Sequence, residues 1–191
     1  MKKIILTLLV ILAFNQTNAQ ESKAYLGVSL GVAFPGGSAS EGTGTGLNLG
    51  FVNFGYRFSE SWGATANLIS SGFPIDDTEA AVGVATFSVG PMYTAKLGDN
   101  MSLDLKPQYA LSMVGKVDGG GDLDDGTFKG NGFVLGSSLN FGISKGFKFS
   151  INLDYTTGKF KEYEYDGETI DINSENKFNS LALGAGIRYN F

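Results

Sequence analysis

The 191-residue chain has no cysteine and no histidine. Without thiols there is no disulfide, thiolate nucleophile, iron–sulfur cluster or acylated lipoprotein cysteine. Without imidazole, the commonest general base and the commonest metal ligand are both missing. Most hydrolase and metalloenzyme chemistries are therefore excluded on composition alone. Proline (four residues) and tryptophan (one) are scarce, and charged residues make up 17% of the chain against a usual ~25%. The longest apolar run, residues 4–14, spans 11 positions, about half of the roughly 20 that a membrane-crossing helix needs. What the chain has instead is glycine (28 residues) and aromatic rings (15 Phe, 8 Tyr), a mixture that argues against both disorder and a helical bundle.

The N-terminus reads Met1-Lys2-Lys3, then the apolar run, then Asn15-Gln16-Thr17-Asn18-Ala19 before Gln20. A basic start, a short apolar segment and a small residue before the cut predict a signal peptide cleaved after Ala19. The expected organisation is a leader over 1–19 and one domain over 20–191. Removing Lys2 and Lys3 takes the formal net charge from −5 to −7, a balance that disfavours nucleic-acid partners. Because no later stretch is long and apolar enough for a spanning helix, any membrane residence must use strands.

From Lys23 onward, apolar residues alternate with small or polar ones, which is the period of a strand with two unlike faces. Met101, Leu103, Leu105, Pro107, Tyr109, Leu111 and Met113 fall on one face, with Ser102, Asp104, Lys106, Gln108, Ala110 and Ser112 on the other. Further segments starting near Leu26, Leu47, Trp62, Val82, Phe133, Phe147 and Leu181 read the same way. In the segment from Leu47 the parity changes at Val52, which predicts a β-bulge at 51–53. Tight turns at 59–61, 98–100 and 145–146 alternate strictly with long connections at 35–45, 74–81, 118–130 and 158–177. That pattern predicts an all-β fold, an eight-stranded antiparallel up-and-down transmembrane β-barrel with short turns and both termini on one side. A soluble secreted β-barrel that binds an apolar ligand would alternate too, but it would bury its large apolar face and expose charge. Here the small face is rich in Gly, Ser, Asn and Thr and suits a narrow lumen. The large face carries rings suited to lipid, with Tyr56, Phe58, Trp62, Tyr93, Phe147, Tyr155 and Tyr189 placed for an interfacial girdle.

The final segment, Leu181-x-Leu183-x-Ala185-x-Ile187-x-Tyr189-x-Phe191, ends on an aromatic residue with apolar positions alternating before it. With these features the chain resembles the small eight-stranded outer-membrane β-barrels of Gram-negative bacteria, the OmpA/OmpX-like proteins of the porin superfamily. The resemblance implies residence in the outer membrane as a monomer, in contact with outer-membrane lipid and lipopolysaccharide. It also implies recognition of Tyr189 and Phe191 by the outer-membrane assembly machinery, and no cofactor. The OmpA type adds a periplasmic peptidoglycan-binding domain, which is not expected here. Lipid A deacylases built on such barrels use a His–Ser pair that this composition does not supply. Ser112, Ser138 and Ser150 are accordingly expected as lumen-lining hydroxyls, and the protein is not expected to be an enzyme.

A barrel of eight strands is just wide enough for its own side chains. Arg57, Lys96, Asp104, Lys106, Lys148, Asp154 and Arg188 are predicted to point inward and to form a hydrogen-bonded, ion-paired plug, since a lone charge there is costly. A narrow channel or ion-binding transport barrel is the alternative. Most of the 19 acidic residues fall in the long connections. Asp118, Asp122, Asp124 and Asp125 are candidate cation ligands, but their spacing does not match an EF-hand, and a solvated acidic loop is the plainer reading. Residues 160–165 and 168–172 flank Asp166-Gly167, a hairpin signal, so the last two barrel strands are expected to continue past the membrane as a ribbon. By the OmpX-like resemblance, the edge of the 158–177 hairpin could pair with an extracellular protein. The expected role is envelope structure or surface interaction.

Overall fold

Alternate side chains of an extended strand point to opposite faces, and the alternation in this sequence resolves into antiparallel strands. The computed structural model describes residues 23–78, 80–118, 126–165, 168–172 and 177–191. The strands are β1 (Ala24–Gly36), β2 (Gly46–Arg57), β3 (Trp62–Pro74), β4 (Ala81–Lys96), β5 (Met101–Asp118), β6 (Thr127–Gly142), β7 (Phe147–Tyr165), β8 (Glu168–Asp171) and β9 (Lys177–Asn190). Strands β1 to β7 form a meander, and β9 pairs with both β7 and β1, which closes a ring of eight strands. Among the described residues β8 pairs with β7 alone and stands outside the ring. The leader expected over 1–19 lies outside the described residues.

Burial runs opposite to that of a water-soluble barrel. Inside, Asn67, Ser88 and Asn140 are fully buried; outside, Phe133 and Leu135 are 62% and 61% exposed. Large rings facing out over small polar groups facing in are what a lipid exterior and a narrow lumen require.

Three irregularities change which face a side chain takes. In β2 an extra residue at Phe51 shifts the register against both β1 and β3, as the parity change at Val52 predicts. A second bulge, at Leu111–Ser112 in β5, was not predicted. It turns Met113 from the lipid face into the lumen, where it is fully buried, and leaves Ser112 exposed on the outside, so Ser112 is not a lumen hydroxyl. A third, at Lys161 in β7, falls between the pairs Gly130–Phe160 and Lys129–Glu162.

The long connections are shorter than the sequence suggests. Thr127 to Gly130 already belong to β6, and β7 runs to Tyr165, because these strands stay paired beyond the lipid. In the 158–177 hairpin Tyr163 lies opposite Ile170 and Tyr165 opposite Glu168, with Asp166-Gly167 outside the described residues. Since Phe128 pairs with Tyr163 on the other side, the ribbon has three strands, β6, β7 and β8.

Candidate functional site

The lumen divides into two zones along the barrel axis. On the side of the short turns, Asp104 of β5 is the hub. It accepts hydrogen bonds from Thr94 Oγ1 of β4 at 2.7 Å, Asn140 Nδ2 of β6 at 3.0 Å and Arg188 Nη1 of β9. Asn140 in turn accepts from Ser150 Oγ of β7 at 2.8 Å, so one network ties five strands together. The Arg188 guanidinium also lies 4.3 Å from the centre of the Tyr25 ring of β1, a cation–π contact.

A second chain of contacts starts at Lys106, whose ammonium donates to Ser138 Oγ at 2.7 Å, and Ser138 Oγ donates to Asn152 Oδ1 at 2.6 Å. Gly136 of β6 sits between Lys106 and Asp154, its partners on the flanking strands. A Cβ there would stand 2.5 Å from Asp154 Oδ1 and 3.4 Å from Lys106 Cε, so the absent side chain makes room for both charges. A third link joins Asn67 Nδ2 to Gln108 Oε1 at 3.0 Å. The space left between Tyr25, Asn53, Lys106, Ser138, Asn152 and Arg188 is about 10 Å³, roughly what one water molecule needs.

On the side of the long connections the lumen is apolar. Phe73, Val84, Met113, Val134 and Phe178 pack with Ala33, Ala110 and Ala182, and Phe160 joins from the base of the ribbon. At Gly158 a Cβ would collide with the Met113 thioether, so this glycine is what admits Met113. Ring contacts then lead outward, from Phe73 to Phe178 (6.0 Å), to Phe160 (6.2 Å), to Phe128 (5.9 Å) and to Tyr163 (4.8 Å). The inner face of the ribbon is therefore continuous with the apolar zone. Its outer face carries Lys129 and Glu164, joined by a hydrogen-bonded ion pair. The shared hydrogen bond holds the Glu164 carboxyl below the usual carboxylate range and raises the Lys129 ammonium.

Of the residues expected in the lumen, Asp104, Lys106, Asp154 and Arg188 are buried there. Arg57 and Lys148 are half-buried at the turn side. Lys96 keeps the inward parity of Thr94 and pairs with the buried Ser102, but as the last residue of β4 it is exposed. Ser138 and Ser150 line the lumen with both hydroxyls engaged as donors. Asp118 ends β5, whereas Asp122, Asp124 and Asp125 lie outside the described residues. Among the described residues no group of three or more carboxylates is placed to hold a metal ion. Tyr189 faces outward against Phe147 at 4.9 Å, and Phe191 pairs its backbone with Ala24, closing the terminal strand on the first.

Sequence reading did not find the apolar zone. The signal was present: Phe73, Val84, Val134 and Phe178 hold the same parity as the lumen residues Ser71, Thr86, Gly136 and Ser180, always at the end of the strand next to a long connection.

A family profile described as outer membrane protein β-barrel domain matches residues 4–191. The chain belongs to this family. Residence in the outer membrane follows, and the short-turn side of a bacterial outer-membrane barrel is the periplasmic one. Among solved structures this outer-membrane barrel is similar to Neisserial surface protein A (NspA), with 14% identity over 90% of this chain and 99% of the other at a TM-score of 0.64. It is also similar to the N-terminal β-barrel domain of Pseudomonas aeruginosa OprF, with 13% identity over 90% and 100% at a TM-score of 0.52. Identities this low carry the fold alone. No curated protein matches the chain by sequence.

Proposed function

We propose that this outer-membrane barrel is a non-enzymatic, non-conducting protein of the cell envelope, whose working surface is the extracellular ribbon and the acidic connections around it. The observation that carries this reading is the filled lumen. Asp104 draws donors from three other strands, and the space bounded by Tyr25, Lys106, Ser138, Asn152 and Arg188 is about that of one water molecule. A pore needs a continuous wet path, and the apolar zone above the network adds a second obstruction. The absence of His and Cys and the engaged hydroxyls of Ser138 and Ser150 argue against a nucleophile. The ribbon, by contrast, offers a β8 edge that has no strand partner among the described residues, with Glu168, Thr169, Ile170 and Asp171 all exposed, suited to strand addition by an extracellular protein. The filled barrel then acts as a rigid stand for the ribbon.

Planar-bilayer recording tests the central claim. The wild-type protein should show no conductance steps. Steady steps that disappear in Lys106→Ala or Arg188→Ala would overturn the reading in favour of a narrow channel.

A further inference from the structure

Cross-strand register on the lipid-facing side of β6, β7 and β9 sets out rows of side chains, each about 7 Å above the last. The row of Phe133, Thr157 and Asn179 is followed by Asn131, Lys159 and Lys177, and then by Lys129, Glu162 and Asp171. Below them the exposed Leu135, Tyr155 and Leu181 belong to the lipid belt. Phe178 and Gly158 face the lumen, so Lys177 and Lys159 beside them face out, and both are exposed.

Two ammonium groups directly opposite on adjacent strands repel each other unless an anion lies between them. One row higher, Lys129 has its anion in Glu164. Among the described residues neither Lys159 nor Lys177 has a carboxylate partner. Strands β1 to β4 have no counterpart: Phe34, Leu47, Gly72 and Gly83 occupy the outward positions near the loop side and none is charged, and the row beyond Gly83 reaches a single exposed lysine, Lys116 of β5. This pair of opposed lysines, without a bonded carboxylate among the described residues, thus sits at one place on the circumference, below the row of Glu162 and Asp171 and directly above a greasy belt. In the outer leaflet, acyl chains give way there to phosphorylated sugar headgroups.

We propose that Lys159 and Lys177 together hold a phosphate of a lipopolysaccharide headgroup, with Asn131 beside them as a further hydrogen-bond donor. A membrane-embedded lipid is the occupant the geometry favours over a soluble anion, because the same strands present lipid-facing side chains one and two rows below. The site is independent of whatever the ribbon binds. It lies at the base of the ribbon and fixes one lipid against the side of the barrel from which the ribbon rises.

The test uses the full protein in phosphatidylethanolamine nanodiscs, with retained lipid A counted by native mass spectrometry. Bisphosphorylated lipid A should be retained by the wild type, and lipid A stripped of both phosphates should be retained as weakly as by Lys159→Ser/Lys177→Ser. Each single serine variant should lower retention of the bisphosphorylated form about fivefold and the double variant about thirtyfold. Lys159→Arg/Lys177→Arg should stay close to wild type. Folding of each variant is checked by heat-modifiable gel migration, and if the double variant does not fold, the two single variants carry the comparison. Unchanged retention in the serine variants would overturn the proposal. So would an equal loss in Lys23→Ser/Lys145→Ser at the periplasmic rim, or equal retention of the dephosphorylated lipid by the wild type.

Discussion

The two halves of the lumen line the same tube with opposite chemistry. On the periplasmic side, Asp104, Arg188, Thr94 and Asn140 are held by directional bonds, and each partner is specified by the others. On the extracellular side, Phe73, Val84, Met113, Val134 and Phe178 need only fit one another. A directional network fixes which strand lies across from which, since a register slip would leave buried donors and acceptors unpaired. An apolar cluster has no such preference, but it excludes water and gives the projecting ribbon a root. The ring contacts from Phe73 through Phe178 and Phe160 to Phe128 are that root. The polar half therefore specifies the barrel, and the apolar half supports what stands on it.

The sharpest way to break this contrast is to delete the hub. Asp104→Ala leaves Arg188 buried without its carboxylate and strands the Thr94 hydroxyl, while Asn140 Nδ2 keeps the carbonyls of Ser102 and Ser138. The expected loss is about 3–5 kcal/mol, read from urea titrations of folding into lipid vesicles. Replacing both members, Asp104→Leu with Arg188→Met, should recover most of the loss, because no charge is then left unpaired. A double variant as unstable as Asp104→Ala would mean that the ion pair is not what organises this half.

In the apolar half the response should be graded. Met113→Ala is expected to cost about 2–4 kcal/mol through the cavity it opens, and Met113→Leu less than about 1.5 kcal/mol, since volume is nearly kept. If the zones are energetically separate, the Asp104→Ala/Met113→Ala combination should equal the sum of the single losses within about 0.5 kcal/mol. A larger coupling in the same titrations would show that the two halves behave as one core.

The polar half was largely legible in the sequence and the apolar half was not, for a physical reason. Asp104, Lys106 and Arg188 announce themselves because a charge amid alternating apolar residues has to face the lumen. Met113 does not: an apolar side chain is compatible with either face, so the bulge at Leu111–Ser112 that turns it inward leaves no mark on the hydrophobic pattern. The bulge in β2 was visible only because Phe51 and Val52 are both large, apolar and adjacent. Ser112 followed the same error outward. For Lys96 parity gave the direction but not the depth: it lies opposite the buried Ser102, yet at the last residue of β4 it is exposed. The ribbon was found from its turn signal, but its third strand depends on the pairing of Phe128 with Tyr163, which no local pattern encodes.

The smallest expected effect compares one chemical pairing in two environments. Lys129 and Glu164 make the same kind of bond as Arg188 and Asp104, but in water, with side chains 46% and 39% exposed against 6% and 1%. Because the Glu164 carboxyl is held below its usual range, its contribution to the ribbon is present at neutral pH and is lost as pH falls through the lowered value. Because the Lys129 ammonium is raised, its contribution persists through neutral pH and is lost only as pH rises through that raised value. Between those limits the ribbon should not respond to pH through this pair. Lys129→Ala should leave barrel stability unchanged and increase amide hydrogen exchange at 162–165 by no more than about fivefold, less at high salt. If Lys129→Ala instead destabilised the whole barrel as Asp104→Ala does, burial would not be what separates the two pairs, and the ribbon would have to be counted as part of the folding core.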